Sequence, residues 1–109
     1  MKLPNGDRAI VDIRKLTEYC LNLQHVRGRH KARVFASVGI RTSEAEQVRT
    51  ALLAAASKRE AKPGAASEYG QRYTIDFEVV RHGATVRIRS IWIVRTAEDL
   101  PRLTTCYVL

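Results

Sequence analysis

The chain has 109 residues, enough for one folded core and too few for two. It is 45% hydrophobic with few aromatics, which excludes a disordered chain and fits an ordinary globular domain. Lys and Arg number 19 against 11 acids, giving a formal net charge of +8 and an isoelectric point near 10.1. Such an excess favours a polyanionic partner and salt-sensitive association, with RNA the first expectation. A solubility surface or an acidic protein partner would draw on the same charge. Arg outnumbers Lys, and a guanidinium is the better bidentate ligand for phosphate.

In chain order, Pro4-Asn5-Gly6 reads as a turn, and Ala9-Ile10-Val11 as a short strand or an extended lead-in. Asp12 is placed to cap a first helix in which Ile13, Leu16, Thr17 and Cys20 recur at helical spacing, ending near Asn22. A second helix follows Gly28, with Val34, Phe35 and Val38 on one face and Gly39 as its left-handed terminator. Ser43 and Glu46 have capping-box spacing and open a third helix through Lys58, with Ala45, Val48, Leu52 and Ala55 or Ala56 inward. Residues 60–70, with Pro63, Gly64 and Gly70 among small residues, read as a mobile connector.

There the period changes from 3.6 to 2. Tyr73, Ile75, Phe77 and Val79 alternate with polar residues as a half-buried strand, His82-Gly83 turns, and Thr85–Val94 returns. Ile91-Trp92-Ile93-Val94 is apolar on both sides, the mark of a central strand covered on both faces. Asp99-Leu100-Pro101 bends the chain, and Leu103–Val108 is a last strand. The expected fold is α+β. Two to three helices (about 12–58) pack on one face of a C-terminal antiparallel meander of three to four strands (about 71–109), and the other face stays open for a groove.

Cys20 and Cys106 form neither a disulfide framework nor a metal-ligand spacing, and are expected as half-buried free thiols in a reducing compartment. No apolar run approaches the roughly 18–20 residues of a membrane span. Met1-Lys2-Leu3-Pro4 has no apolar stretch behind it, so no signal peptide is read. The expectation is a cytoplasmic protein with no membrane partner.

The densest concentration of charge runs from His25 to Arg41 and includes Arg27, Arg29, Lys31 and Arg33. Gly28 precedes its helix, so the amides of Arg29, His30 and Lys31 lie near a helix N-terminus, where anions bind. Cations are disfavoured at that end, and local rules are often broken at functional sites. The alternative is a solvated face with His30 bonded to a carbonyl. Arg87 and Arg89 share one strand face about 7 Å apart, a spacing that suits consecutive phosphates. They would equally be balanced by Asp76 or Glu78. Thr105 and Tyr107 share a face as hydroxyl donors or as plain strand formers, while Trp92 reads as core and His82 as turn surface.

There is no P-loop, dinucleotide fingerprint, HExxH motif or metal-type Cys/His pairing, and the acids are scattered. No metal or cofactor is expected. A polynucleotide-cleaving domain of this composition would move protons with His, Lys or Tyr and stabilise the pentavalent phosphate with Arg or Lys. RNA suits that route because its 2′-hydroxyl is a built-in nucleophile.

Leu3-Pro4-Asn5 leading into Asp12 and Lys15-Leu16, then Gly28-Arg29-His30-Lys31-Ala32-Arg33-Val34-Phe35, Trp92-Ile93 and Pro101-Arg102-Leu103-Thr104-Thr105 together resemble a bacterial domain family of unassigned function, over nearly the whole chain. That family is similar in layout to the barnase–EndoU–colicin–RelE group of endoribonucleases, common as toxin domains. The resemblance implies metal-free RNA cleavage with His30, Lys31, Thr105 and Tyr107 in the catalytic set. It also implies an acidic inhibitor or antitoxin partner. Arg27, Arg29, Arg33, Arg87, Arg89 and Arg102 would hold the RNA backbone. A non-catalytic nucleic-acid-binding module and a protein-interaction domain (an antitoxin or adaptor) are the alternative expectations.

Overall fold

Asp12 does what its place before an apolar helical run predicts: its carboxylate accepts the Arg14 backbone N–H at 3.0 Å. The computed structural model describes residues 1–109. The first helix, α1, is an α turn over Ile13–Lys15 that widens into a π segment over Leu16–Cys20. Leu21 N–H closes the wide turn on the Leu16 carbonyl at 2.9 Å. The second helix, α2, spans Arg29–Ser37, and Gly39 beyond it has φ 82° as a helix terminator should. A Cβ on Gly39 would also meet His82 Nε2 at 2.7 Å, so the glycine lets a distant hairpin tip dock there. Its carbonyl receives the Arg81 guanidinium at 2.6 Å.

The third helix, α3, runs over Ala45–Lys58 and buries Ala45, Val48, Leu52, Ala55 and Ala56, the face expected from the periodicity. Its entry differs from the expected capping box of Ser43 and Glu46. A 3₁₀ turn over Thr42–Glu44 precedes it, and Glu44 accepts the Arg41 backbone N–H at 3.0 Å. Ser43 donates to Glu44 instead, and Glu46 stands 3.8 Å from Arg49 one turn on. The extra turn moves the reciprocal cap two residues upstream.

Residues 60–70 are a second correction. They carry a strand, β1, over Lys62–Ser67, where a mobile connector was expected. Lys62 and Pro63 pair with Thr74 and Tyr73, and a register shift follows before Ala66 meets Gln71. All six side chains are exposed, so no apolar alternation announces this edge strand. Strands β2 (Gly70–Arg81), β3 (Ala84–Arg95) and β4 (Arg102–Val108) complete a four-stranded antiparallel sheet of order β1-β2-β3-β4. His82 and Gly83, at φ 51° and 78°, make the tight β2–β3 turn. Ile10 forms a single parallel bridge to Arg102 at the β4 edge, so Ala9-Ile10-Val11 is an extended lead-in with one sheet contact.

The helices cover one face of the sheet, where Ile75, Phe77, Val86, Ile88, Leu103 and the wholly buried Trp92 meet Phe35, Leu16 and Leu52. Trp92 Nε1 donates to Ser90 Oγ at 2.9 Å, and Ser90 Oγ donates to the Ile75 carbonyl at 2.8 Å, so the polar atoms of these two buried side chains are satisfied. Val34, expected on the inner face of α2, is 44% exposed, and Ala32 with Phe35 fill that role. The sequence Ile91–Val94 lies on a central strand but is covered on one face only. Ile91 and Ile93 are half-buried on the open side, sheltered by neighbouring side chains rather than a second layer.

Acid should weaken this fold. Arg14 bonds hold the Asp12 carboxyl down from 3.8 to about 2, and the Arg89 guanidinium lowers Asp76. A carboxyl depressed in the folded state contributes stability above its unfolded value and loses it as pH falls through the folded one. For Asp12 the window lies between about pH 4 and pH 2, and Asp76 loses its contribution below its ordinary value of 3.8. Thermal melts across it should show a smaller loss for Asp76→Asn than for wild type; equal slopes would remove Asp76 from the acid response.

Candidate functional site

The open face of the sheet is a set of cross-strand rows. Arg72, Ile93 and Arg102 make one; Thr74, Ile91 and Thr105 the next; then Asp76, Arg89 and Tyr107; then Glu78 with Arg87. In the third row Asp76 receives Arg89 through two bonds of 2.8 Å, a bidentate pair. That bond and the carboxylate charge raise the Arg89 pKa further, and Tyr107, its cross-strand neighbour on β4, adds to the shift.

Helix α2 flanks the β4 edge, and Lys31 extends the third row beyond it. Lys31 Nζ lies 5.0 Å from the Tyr107 ring centre and 6.0 Å from that of Tyr19. No carboxylate lies within ion-pair distance of Lys31. The approach of α2 to α1 depends on Gly28, where a Cβ would stand 2.8 Å from the Tyr19 carbonyl oxygen and 3.0 Å from its ring. Thr105 Oγ1 is 3.8 Å from Cys20 Sγ.

Behind Thr105 the two cysteines meet. Both are wholly buried, not half-buried as expected, because α1 lays Cys20 against β4 where Cys106 faces inward. The neighbouring Cys106 thiol, the Thr105 hydroxyl and the Lys31 charge favour the Cys20 thiolate and lower its pKa against the cost of burial. The same contact and burial push Cys106 up.

An open cleft of about 590 Å³ adjoins Thr105 between α1, the loop before α2 and β4. Lys15 and Arg27 bring positive charge to it, Glu18 one carboxylate, and Thr104 and Thr105 hydroxyls. Tyr19 and His25 form its aromatic wall, edge to face at 4.8 Å and 80°. His25 Nδ1 accepts the backbone N–H groups of Arg27 at 3.1 Å and Gly28 at 3.0 Å. The ring proton therefore sits on Nε2, leaving that nitrogen a donor.

The structure thus brings Lys31, Thr105, Tyr107 and Arg89 together and sets Arg27 beside them. His30 is exposed and makes no side-chain hydrogen bond or ion pair. Successive helical residues turn by about 100°, which places His30 on the solvent side of α2 and Lys31 on its flank. Arg29 and Arg33 are also exposed on α2, and Arg87 is exposed on β3 opposite Glu78. Arg102 is bonded to Glu98 at 3.1 Å at the far end of the face. Tyr19 was not singled out by the sequence, and Lys15, His25 and Thr104 appeared there only within longer motifs, with no role of their own. They come from separate segments, and only the approach of α1 to β4 joins them.

A family model described as a domain of unknown function, DUF6883, matches residues 2–109. The chain belongs to the DUF6883 family. No curated protein and no solved structure shows a significant match. In this DUF6883 domain no three His, Cys, Asp or Glu side chains converge in a metal-holding arrangement. Its chemistry-bearing groups are instead cations, hydroxyls and aromatic rings around Lys31.

Proposed function

We propose that this DUF6883 domain is a metal-independent endoribonuclease that cuts single-stranded RNA on its open sheet face. The observation that carries the reading is Lys31, a cation without a carboxylate partner, 5.0 Å from the ring of Tyr107 and 6.0 Å from that of Tyr19, at the end of the row that Tyr107 shares with Arg89. The layout of helices on one face and an open antiparallel face opposite is compatible with that of the barnase–EndoU–colicin–RelE toxins, which supports the reading by analogy. The ribose 2′-oxygen attacks phosphorus, the bond to the 5′-oxygen breaks, and a 2′,3′-cyclic phosphate and a 5′-hydroxyl result. Tyr107, directly across the strand pair from Arg89, would take or return the proton. Lys31 and Arg89 stabilise charge on the pentavalent phosphate, and Thr105 orients it. Arg27, Arg29, Arg33 and Arg87 hold flanking backbone. In a bacterial host such an activity calls for an acidic inhibitor.

Binding without cleavage is the second reading. It is favoured by the engagement of His25 Nδ1 with backbone amides and by the separation of His30 from Lys31. Purified domain incubated with total bacterial RNA in EDTA decides between them. Discrete fragments carrying 2′,3′-cyclic ends are expected from wild type and also from His30→Ala. Intact RNA with wild type would leave the binding reading.

A further inference from the structure

The cleft beside Thr105 has a composition that the sheet face does not. It offers two cations, two hydroxyls and a ring N–H donor against a single carboxylate, Glu18. Neither Lys15 nor Arg27 is within ion-pair distance of an acid, whereas Arg89 and Arg102 on the sheet face are already paired. An excess of donors and unpaired positive charge in a concave, aromatic-walled site selects a ligand rich in acceptors and negative charge. At about 590 Å³ it is large enough for one nucleotide. Thr105 belongs both to this cleft and to the row beside Tyr107, so a nucleotide seated there is contiguous with one whose phosphate reaches Lys31.

We infer that the cleft is a second nucleotide subsite, which takes the phosphate next to the one at Lys31 through Lys15 and Arg27 and meets an acceptor of the same nucleotide through His25 Nε2. This rests on the RNA reading of the sheet face and adds to it a direction: the strand leaves the open face across β4 towards α1. His25 is a fixed donor here rather than a proton-transfer group, because its Nδ1 holds the loop that carries Arg27. The Tyr19 ring against it keeps the imidazole plane in place.

The test uses the intact domain and a short single-stranded oligoribonucleotide with a non-cleavable 2′-O-methyl backbone, titrated at several salt concentrations. Lys15→Gln should weaken binding about five- to tenfold and reduce the salt slope by about 0.7, the value for one phosphate contact on a single strand. Arg59→Gln removes the same charge at the far end of α3, in the apolar cleft beside Phe77, and should change neither. His25→Asn keeps an acceptor near the Nδ1 position and removes the Nε2 donor, so it should weaken binding a few-fold with the slope unchanged. Lys15→Gln indistinguishable from Arg59→Gln, with wild type binding well, would overturn the subsite and leave the RNA reading standing. No binding by wild type, at any salt, would overturn both.

Discussion

Replacing Lys31 with Met should lower the rate of RNA cleavage by about a hundredfold to a thousandfold, the effect of removing one preorganised charge from a transition state. The Met side chain keeps the apolar length that lies against Tyr19 and Tyr107, so the packing of α2 on β4 survives. What the fold loses is a cation–π contact worth about 0.5–1 kcal/mol at an accessible site. Rate and stability therefore separate: a large fall in kcat with a melting temperature close to wild type. Lys31→Arg should recover part of the rate, because it restores charge in a different shape. A Lys31→Met domain that cuts within a few-fold of wild type would remove Lys31 from the chemistry and pass the role to His30 or Arg87.

The second large effect concerns stability. Trp92 is the largest of the wholly buried side chains, at the centre of the inner sheet face. Trp92→Ala should cost about 3–5 kcal/mol through lost burial and the cavity left behind. That is a large share of the total for a domain of this size, typically about 5–15 kcal/mol, so urea unfolding should show a much lower midpoint. Trp92→Phe should be milder, losing the Nε1–H bond to Ser90 while Ser90 keeps its bond to the Ile75 carbonyl. Were Trp92 a platform for stacked bases, Trp92→Ala would instead weaken RNA binding and leave unfolding unchanged. The pair of measurements decides between core and platform.

Much of the architecture is legible along the chain. Asp12, Gly39, the inward stripe of α3 and the alternation from Tyr73 to Val79 are local signals, and the structure follows them because each rests on backbone geometry or helix and strand periodicity. Strand β1 left no such signal, since an exposed edge strand buries nothing and owes its form to pairing with β2. Ile91 and Ile93 misled for a related reason. An apolar residue on an open face is sheltered by long cross-strand neighbours such as Arg72 and Arg102, and sequence alone does not tell that from a second layer.

The α+β order and the net charge of +8 are legible from the residues alone, and the family resemblance adds His30, Lys31, Thr105 and Tyr107 as candidate site residues. Which of these side chains meet follows from how the elements pack. Lys31 lies 76 positions from Tyr107 in the chain yet 5.0 Å from its ring, because α2 packs along the β4 edge. His30, its immediate neighbour, is turned to solvent by the helical rotation of one residue. Cys20 and Cys106, near opposite ends of the chain, are buried in one core by the same docking of α1 on β4 that opens the cleft beside Thr105. Periodicity reports which way each residue faces within its own element. The distance between elements is set by packing, and the site is made of such distances.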